Sequence, residues 1–447
     1  MKNKKQIRKE QKEKLFQLFD SFIPINIDLG ITIMNSDQGF KAACKHRYYP
    51  LMRFIDPSLG QGFQLLKEVG KALNQGEQHI YAVAIIHYKT LGAITVAEEL
   101  EARFQAHTTR LVKDNPSIFS LSLLAQLVNN PSLKPDSIKS IYLQQGQDAI
   151  PLPTDRLLFQ GLEELSIDFT SYYSMLEPYF SQMTSLELFS AQRCNIAQLP
   201  IDFIHLLQLK HIDLRSNQLK VLPQEMKQLQ QISSLYLCDN QFSKLPKTLQ
   251  YYKELSNLWA CRLQLQELPV WLLQLSQLHT LYLDGNQLKN ATALLFALPA
   301  LKHLHLRNNQ LTTIVIDPEK HSTSITALNI GSNLFSDFPT ALLHLKNLHS
   351  LDMERCQLTA LPETIYQLKQ LDHLYLSGNN LTRLPETIGQ LQKLEWLTLD
   401  NNPLEQLPNS IGQLTKLHGL SVRASNITTI PTSIQQLRQP LFSNSAI

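Results

Sequence analysis

The sequence lacks any apolar run long enough to cross a membrane, since no stretch of roughly 18 or more consecutive apolar residues occurs in it. Its first 14 residues lack the apolar core and the small-residue cleavage site of a secretory signal. Its five cysteines are an odd number, lie far apart, and do not form the paired clusters of an extracellular disulfide framework. These absences favour a reducing compartment. We expect a cytoplasmic protein without stable membrane insertion, and export as an effector by a specialised secretion system remains an alternative.

The sequence also lacks a large excess of charge of either sign. The 41 basic and 38 acidic residues leave a net charge of +3 at pH 7, which argues against nucleic acid as the partner. Seven basic residues lie within the first 14 positions, and we interpret them as a solvated helical arm. Contact of this arm with an acidic membrane or with nucleic acid is the weaker alternative.

Motifs that carry chemistry are missing as well. The glycine-containing stretch GQGFQLLKEVGK, residues 60–71, lacks the GxxxxGK[ST] spacing of a phosphate-binding loop. No HExxH or CxxC motif indicates a metal site. Cys44 lies beside Lys45 and His46 and could be an activated nucleophile, but a buried or incidental thiol explains it better. We therefore expect no enzyme activity, no cofactor and no metal.

What the sequence does contain is a repeat. The stretch LDHLYLSGNNLTRLPETIGQLQK, residues 371–393, is followed at once by LEWLTLDNNPLEQLPNSIGQLTK. Eleven such units of 23 residues run from Leu186 to residue 437, with one extra residue before Ile325. Each follows LxxLxLxxNxLxxLPxxIxxLxx. The pattern resembles the leucine-rich repeat family.

The resemblance implies an α/β solenoid. In the LxLx segment alternate residues point to opposite faces of a short strand, so that the leucines face inward and the x positions face outward. Stacked units then build one parallel, concave sheet, with short helices or turns on the convex side. A single unit cannot bury its apolar face alone, and neighbouring units share one core.

The asparagine column of the repeat is expected to satisfy backbone groups in the turn that follows each strand. Cys194 and Cys356 replace asparagine in two units and are expected to be buried, inert thiols. Leu263 replaces it in a third unit. Because leucine cannot form the hydrogen bonds, we expect it to leave turn groups to water or to distort the loop.

The leucine-proline pair is expected to begin the return path of each unit, with proline in a turn or at the first residue of a short helix. Nine of the eleven units keep the proline. The exceptions are Ala291-Thr292 and Ile314-Val315, and an insertion, VIDPEKHSTS, overlaps the second of them.

The period also predicts the domains. Residues 186–437 are the eleven repeats, 131–185 are divergent capping repeats and 438–447 are a C-terminal tail. Residues 1–130 lack the period and show helix signals, including Asn115-Pro116 as the start of a helix carrying Ile118. We interpret them as a mainly helical N-terminal domain or cap of unknown role.

The outward positions vary between units, and function is expected there. The middle outward residues of four consecutive strands are Tyr236, Trp259, Tyr282 and His305, and they predict an aromatic stripe roughly 15 Å long. Tyr375 and Trp396, one outward position apart, are expected to lie diagonally near each other. The charged residues expected to bind a partner with these rings are Arg215, Arg262, Asp284, Arg307, Asp352, Glu354 and Asp400.

Solvent-facing tyrosine and tryptophan rimmed by charge are typical of protein-binding surfaces. A structural alternative is that aromatic residues merely suit exposed strands. Cys238 and Cys261 share the next outward column on adjacent strands, and they are expected to be close and reduced.

The sequence is similar to the intracellular repeats of Ras-binding scaffolds and to bacterial relatives, and this resemblance implies a signalling role. We expect a non-enzymatic scaffold that binds a protein on the concave face, with unknown oligomeric state. The alternative is a secreted bacterial effector or enzyme whose activity lies in residues 1–130, with the repeats selecting its target.

Overall fold

The structure, a computed structural model, describes residues 117–118, 138–143 and 159–436. It divides into two units, the first ending at Leu162 and the second beginning at Glu163. In the first unit, the strand Ser117–Ile118 pairs in parallel with Ser140–Tyr142. The predicted helix carrying Ile118 is therefore wrong at this position, because the backbone at Ile118 pairs with Ile141. The remaining helix signals, Cys44 and the basic arm lie outside the described residues.

The second unit contains a parallel sheet of three-residue strands, one from each repeat. Its strands are Glu164–Ser166, Leu188–Ser190, His211–Asp213, Ser234–Tyr236, Asn257–Trp259, Thr280–Tyr282, His303–His305, Ala327–Asn329, Ser350–Asp352, His373–Tyr375, Trp396–Thr398 and Gly419–Ser421. Neighbouring strands are in register, so that equivalent repeat positions lie side by side. The predicted solenoid is confirmed.

The inward leucines form the core. Leu235, Leu258 and Leu281, the central residues of three neighbouring strands, are fully buried. Phenylalanine joins the core towards the N-terminal end of this unit, where Phe180, Phe189 and Phe203 pack edge to face with ring centroids 5.2 to 5.6 Å apart. Since each repeat buries its apolar side chains only against its neighbours, the core is continuous along the sheet.

The return path of most repeats is a short 3-10 helix. These helices are Glu177–Gln182, Ile201–His205, Gln224–Gln228, Lys247–Tyr251, Val270–Gln274, Thr340–His344, Glu363–Gln367, Glu386–Gln390, Asn409–Gln413 and Thr432–Gln436. Each one after the first begins directly after the repeat's proline, which therefore precedes the helix rather than opening it. Five residues between a proline and a buried leucine leave room for little more than one turn, and short helices favour the tighter 3-10 form.

Two repeats depart from this scheme where the proline is missing. Val315 stands at the proline position, and its backbone N–H donates to the carbonyl of Ala291 at 2.9 Å. Proline could not make this bond because it has no N–H. The strands Asn290–Ala291 and Thr313–Ile314 pair in parallel as a second, two-stranded sheet. An α-helix, Ala293–Phe296, replaces the 3-10 helix of the first of these repeats, and the residues Tyr173–Leu176 also form an α-helix.

The asparagine column stitches successive turns together. The Asn286 amide donates to the carbonyls of Ala260 and Leu283 at 2.9 and 2.8 Å. Its oxygen accepts the backbone N–H groups of Leu263 and Leu265 at 3.0 and 3.1 Å. The buried asparagine therefore bridges its own repeat and the preceding one.

The cysteines of this column take over part of the same role. The Cys194 thiol donates to the carbonyl of Ile167 at 2.9 Å, and that of Cys356 donates to Ile330 at 3.3 Å. The Leu263 side chain donates no hydrogen bond. The two carbonyls that an asparagine side chain would contact there, those of Leu237 and Ala260, each accept an amide from a neighbouring repeat instead. Neighbouring asparagines thus compensate for the missing one.

The backbone conformation differs in the repeats that carry these substitutions. The residue before the column is left-handed in every one of the eleven repeats. A second left-handed residue follows the column only at Asn195, Gln264 and Gln357, directly after Cys194, Leu263 and Cys356. The expected distortion at Leu263 is therefore found, and it is shared by the two cysteine repeats.

Candidate functional site

The sheet brings the four predicted aromatic residues into one row. Tyr236 pairs with Trp259, Trp259 with Tyr282, and Tyr282 with His305, each at the same register position of adjacent strands. All four side chains are half-buried. We call Tyr236, Trp259, Tyr282 and His305 the aromatic ladder.

The rings of the aromatic ladder stack face to face. The centroids of Tyr236 and Trp259 are 4.1 Å apart, those of Trp259 and Tyr282 5.3 Å, and those of Tyr282 and His305 3.9 Å. Adjacent ring planes differ by 9 to 14°. The guanidinium of Arg215 lies 5.2 Å from the centroid of the Tyr236 ring and covers the outer face of the first ring. The ladder therefore presents ring edges to solvent, while most ring faces are covered by the next ring.

The titration behaviour of the ladder keeps it uncharged at neutral pH. Burial, with a smaller contribution from His303, lowers the pKa of His305 from 6.5 to about 4. Burial also raises the pKa of Tyr236 and Tyr282, so both phenols remain hydrogen-bond donors.

Arginines flank the ladder, and acidic residues orient them. Arg215 and Asp213 lie two residues apart on one strand face and form a salt bridge of 2.5 Å. Arg307 occupies the position of Asp284 in the next repeat. Its guanidinium nitrogen Nη1 lies 3.4 Å from a carboxylate oxygen of Asp352 and 3.6 Å from one of Glu354. Its backbone N–H also donates to Asp284 at 2.7 Å. The outward face thus carries a fixed pattern of charge along its length.

Asp284 is the most perturbed carboxyl of this face. Burial raises its pKa from 3.8 to about 6, and the Arg307 backbone N–H only partly opposes the shift. The carboxyl therefore changes its charge near pH 6, which the sequence pattern did not indicate.

Arg262 is placed differently from the other predicted charges. It follows Cys261 in the turn, in a left-handed conformation, and its side chain is more than half exposed. Its guanidinium pairs with Asp239 of the preceding repeat at 2.5 Å. Asp213 and Asp239 were absent from the predicted site, although an acid two residues or one repeat length before an arginine is a signal that could have found them.

The C-terminal candidates do not form a second ladder. The Tyr375 ring has a tilted contact with His373, with centroids 6.0 Å apart. Trp396 pairs with His373 and Gly419, and its ring lies over Gly419, where any Cβ would collide with it. Trp396 therefore leans towards the next strand rather than towards Tyr375. Asp400 accepts hydrogen bonds from the Ser421 hydroxyl and the Arg423 backbone N–H, both at 2.6 Å.

In the part of the chain that the structure describes, no group of three or more His, Cys, Asp or Glu side chains could hold a metal ion. Among the same residues, no helix has both the length and the apolar character needed to span a bilayer.

Comparisons with known proteins agree with this architecture. A family model described as leucine-rich repeat matches residues 299–358 and 359–404, and a model of two leucine-rich repeats matches residues 276–319. No curated protein sequence matches the chain significantly.

Solved structures resemble the chain over most of its length. A leucine-rich repeat protein of Leptospira interrogans is 29% identical, with a TM-score of 0.61, and the match covers 74% of this chain and 90% of that one. An internalin of Listeria monocytogenes is 22% identical, with a TM-score of 0.57 and coverage of 70% and 88%. A chain of the Toll–Spatzle complex of Drosophila is 20% identical, with a TM-score of 0.53 and coverage of 68% and 47%. The latter two show the fold alone.

The family matches, the in-register sheet and the buried asparagine column all describe one repeat architecture, which commonly mediates interactions between proteins. The chain belongs to the leucine-rich repeat proteins.

Proposed function

We propose that this protein is a non-enzymatic scaffold that binds a protein partner on the concave face of its sheet, with the aromatic ladder as the central contact. The observation that supports this most directly is the unbroken stack of four half-buried rings on adjacent strands. The rings are not part of the core, because the inward leucines lie on the opposite face of the sheet and are fully buried there.

The orientation of the rings narrows the chemistry of the partner. Ligands that stack on aromatic side chains, such as bases, need exposed ring faces. In the ladder all of these faces except the outer face of His305 are occupied by neighbouring rings or by Arg215. The exposed edges offer apolar C–H groups, and tyrosine and tryptophan add polar donors. Such edges suit an extended protein segment that presents carbonyl oxygens and small apolar side chains.

The stacking also prearranges the site. Side chains that are ordered before binding lose less conformational entropy when the partner arrives. The Tyr236–Trp259 stack and the Asp213–Arg215 salt bridge hold one end of the ladder in place. The pair of acids around Arg307 holds charges beyond the other end. A charged rim around an aromatic centre is the usual anatomy of a protein interface.

The cytoplasmic location and the signalling role that the sequence predicts belong to the same proposal. The Toll–Spatzle structure is a complex, so a leucine-rich repeat chain of similar fold is found there with a protein partner. At 20% identity this likeness shows the fold alone, so the proposal of a protein ligand rests on the aromatic ladder.

The test is affinity capture from lysate with three forms of the full-length chain. The first is the wild type and the second carries Tyr236→Ala, Trp259→Ala and Tyr282→Ala. The third is a matched control with Tyr251→Ala, Trp271→Ala and Tyr366→Ala, which changes the same residue types in the 3-10 helices instead of the strands. Circular dichroism establishes that all three are folded.

We expect a partner that the wild type and the helix variant retain and the ladder variant loses. If the ladder variant captures every partner as well as the wild type does, the aromatic residues are merely suited to exposed strands. The search for function then moves to residues 1–130 and to the alternative of an effector or enzyme.

A further inference from the structure

Four of the five cysteines lie among the described residues, and all four are free thiols. They fall into two classes. Cys194 and Cys356 donate hydrogen bonds to backbone carbonyls in the asparagine column. Burial raises the pKa of both, that of Cys356 to about 11, which makes them poor nucleophiles.

Cys238 and Cys261 form the second class, a pair of thiols beside the aromatic ladder. Each lies two residues after a ladder ring, on the same face of its strand, next to Tyr236 and Trp259 respectively. Backbone hydrogen bonds between the two strands continue on both sides of the cysteines. The Leu237 N–H donates to the Trp259 carbonyl at 2.8 Å, and the Asp239 N–H donates to the Cys261 carbonyl at 3.0 Å. The two cysteines are therefore in register on adjacent strands.

Their separation suits a covalent bond. Neighbouring strands lie about 4.8 Å apart, within the Cα separation of roughly 4.4 to 6.8 Å that a disulfide spans. The backbone N–H of Cys261 donates to the Cys238 sulfur at 3.2 Å, so this sulfur already points at the neighbouring strand. Both residues are buried but not fully enclosed, with 4% of Cys238 and 6% of Cys261 exposed.

The surroundings make the two thiols unequal. A hydrogen bond from the Cys261 side chain lowers the pKa of Cys238, and its backbone N–H and the nearby Arg262 act in the same direction. The pKa of Cys261 is raised by the same interaction with Cys238 and by burial. A thiolate is the reactive form of cysteine, so Cys238 is the expected nucleophile and Cys261 the resolving thiol.

We propose that Cys238 and Cys261 are a reversible modification site, a dithiol that peroxides oxidise to a disulfide joining two adjacent strands directly beside the aromatic ladder. The proposal depends on the geometry of the pair and not on the function proposed for the ladder.

The chemistry balances with hydrogen peroxide as the oxidant. The Cys238 thiolate attacks one peroxide oxygen, an S–O bond forms, the O–O bond breaks, and hydroxide leaves and takes up a proton to become water. The Cys261 sulfur then attacks the sulfenic sulfur, the S–S bond forms, the S–O bond breaks, and the released hydroxide accepts the Cys261 proton. Overall, two thiols are oxidised and one peroxide is reduced to two waters.

In the experiment, the folded, full-length protein is treated with hydrogen peroxide. It is then unfolded in the presence of excess iodoacetamide, which alkylates the remaining thiols, and digested with trypsin without reductant. Cys238 lies in the tryptic peptide 228–244 and Cys261 in the peptide 254–262. We expect mass spectrometry to find these two peptides joined, two hydrogens lighter than their sum, and released by dithiothreitol. Before oxidation, Cys238 should react with iodoacetamide faster than Cys261, because the pKa of Cys238 is lowered and that of Cys261 is raised.

Two variants serve as controls. Cys238→Ser should abolish the joined peptide and leave Cys261 available for alkylation, whereas Cys356→Ser, which removes a thiol of the first class, should leave the joined peptide unchanged. The proposal is overturned if peroxide leaves both thiols unreacted, if Cys238 is driven to sulfinic acid without joining Cys261, or if it pairs with another cysteine instead.

Discussion

The two halves of the concave face share one scaffold and differ in what they display. Strands Ser234–Tyr236 to His303–His305 carry four stacked rings, while strands Ala327–Asn329 to Gly419–Ser421 carry Asn329, Asp352, Tyr375, Thr398 and Ser421 at the same register position. The backbone pairing is the same in both halves. Tyr375 lies between Asp352 and Thr398 and has no stacked neighbour on either adjacent strand.

The difference shows that scaffold and surface are encoded at separate positions. The inward apolar residues and the asparagine column determine the sheet. The outward positions are free to vary because they contribute little to the shared core. An aromatic residue becomes part of a rigid surface only when the next repeat places another one beside it, as Trp259 does for Tyr236 and Tyr282.

The comparison predicts its largest effect on binding. Tyr282→Ala removes a ring that is stacked on both sides, so it should weaken binding of the captured partner by about 2–4 kcal/mol, the loss typical of an interface hot spot. Tyr375→Ala makes the same chemical change in the other half and should cost less than about 1 kcal/mol. Titration calorimetry measures both affinities. Equal losses would show that the partner spans both halves and that stacking does not define the site.

The second prediction concerns the turns behind the two halves. Asn309→Leu leaves the carbonyls of Leu283 and Leu306 with amide donors from Asn286 and Asn333. The Met353 carbonyl accepts a hydrogen bond from the Asn379 amide at 2.9 Å. Asn379→Leu removes this donor, and Cys356 does not replace it because its thiol donates to the carbonyls of Ile330 and Glu354.

Leaving a buried carbonyl unsatisfied costs about 1–3 kcal/mol beyond the lost hydrogen bonds. Both variants also lose the oxygen that accepts backbone N–H groups, that of Leu288 at Asn309 and those of Cys356 and Leu358 at Asn379. We therefore expect Asn379→Leu to destabilise the protein by about 2 kcal/mol more than Asn309→Leu, measured by urea unfolding. The same cost at both sites would mean that neighbouring asparagines do not compensate for one another and that Leu263 is tolerated for another reason.

The smallest effect is a pH dependence within the ladder half. Asp284 has a raised pKa of about 6, so the folded state binds its proton more tightly than the unfolded state does, and its contribution to stability falls as pH rises from about 4 to 6. His305 has a lowered pKa of about 4, so the unfolded state binds its proton more tightly, and its contribution falls as pH drops from 6.5 to 4. The two contributions oppose each other in one window.

Two variants separate these contributions. Asp284→Asn can still accept the Arg307 N–H. The stability difference between this variant and the wild type should favour the variant by about 1–2 kcal/mol more at pH 7 than at pH 5. His305→Phe keeps a ring in the stack and should show a difference of similar size and opposite sign. Urea unfolding at the two pH values measures both. Differences of the same sign would mean that burial of one of these groups does not control its protonation.

Most of the candidate site could be predicted from the sequence because the constant period determines which residues are neighbours on adjacent strands. A residue 23 positions later occupies the same place on the adjacent strand, so the aromatic row and the Cys238–Cys261 pair follow from counting. Arg262 was predicted on the same surface and lies instead in the turn, because the left-handed residue before the asparagine column leaves the strand.

The sequence by itself determined the repeat, the inward core and the order of side chains along the outward face, since these depend only on local alternation and a constant period. Tertiary structure decided the face-to-face stacking of the rings, the lean of Trp396 over Gly419 and the burial that shifts the pKa of Asp284 and His305. It also decided that Ile314 would pair with Ala291 in a second sheet and that the Val315 N–H would donate to the Ala291 carbonyl. These features depend on how side chains and free N–H groups of neighbouring repeats fill the space between them, and a one-dimensional pattern does not specify that space.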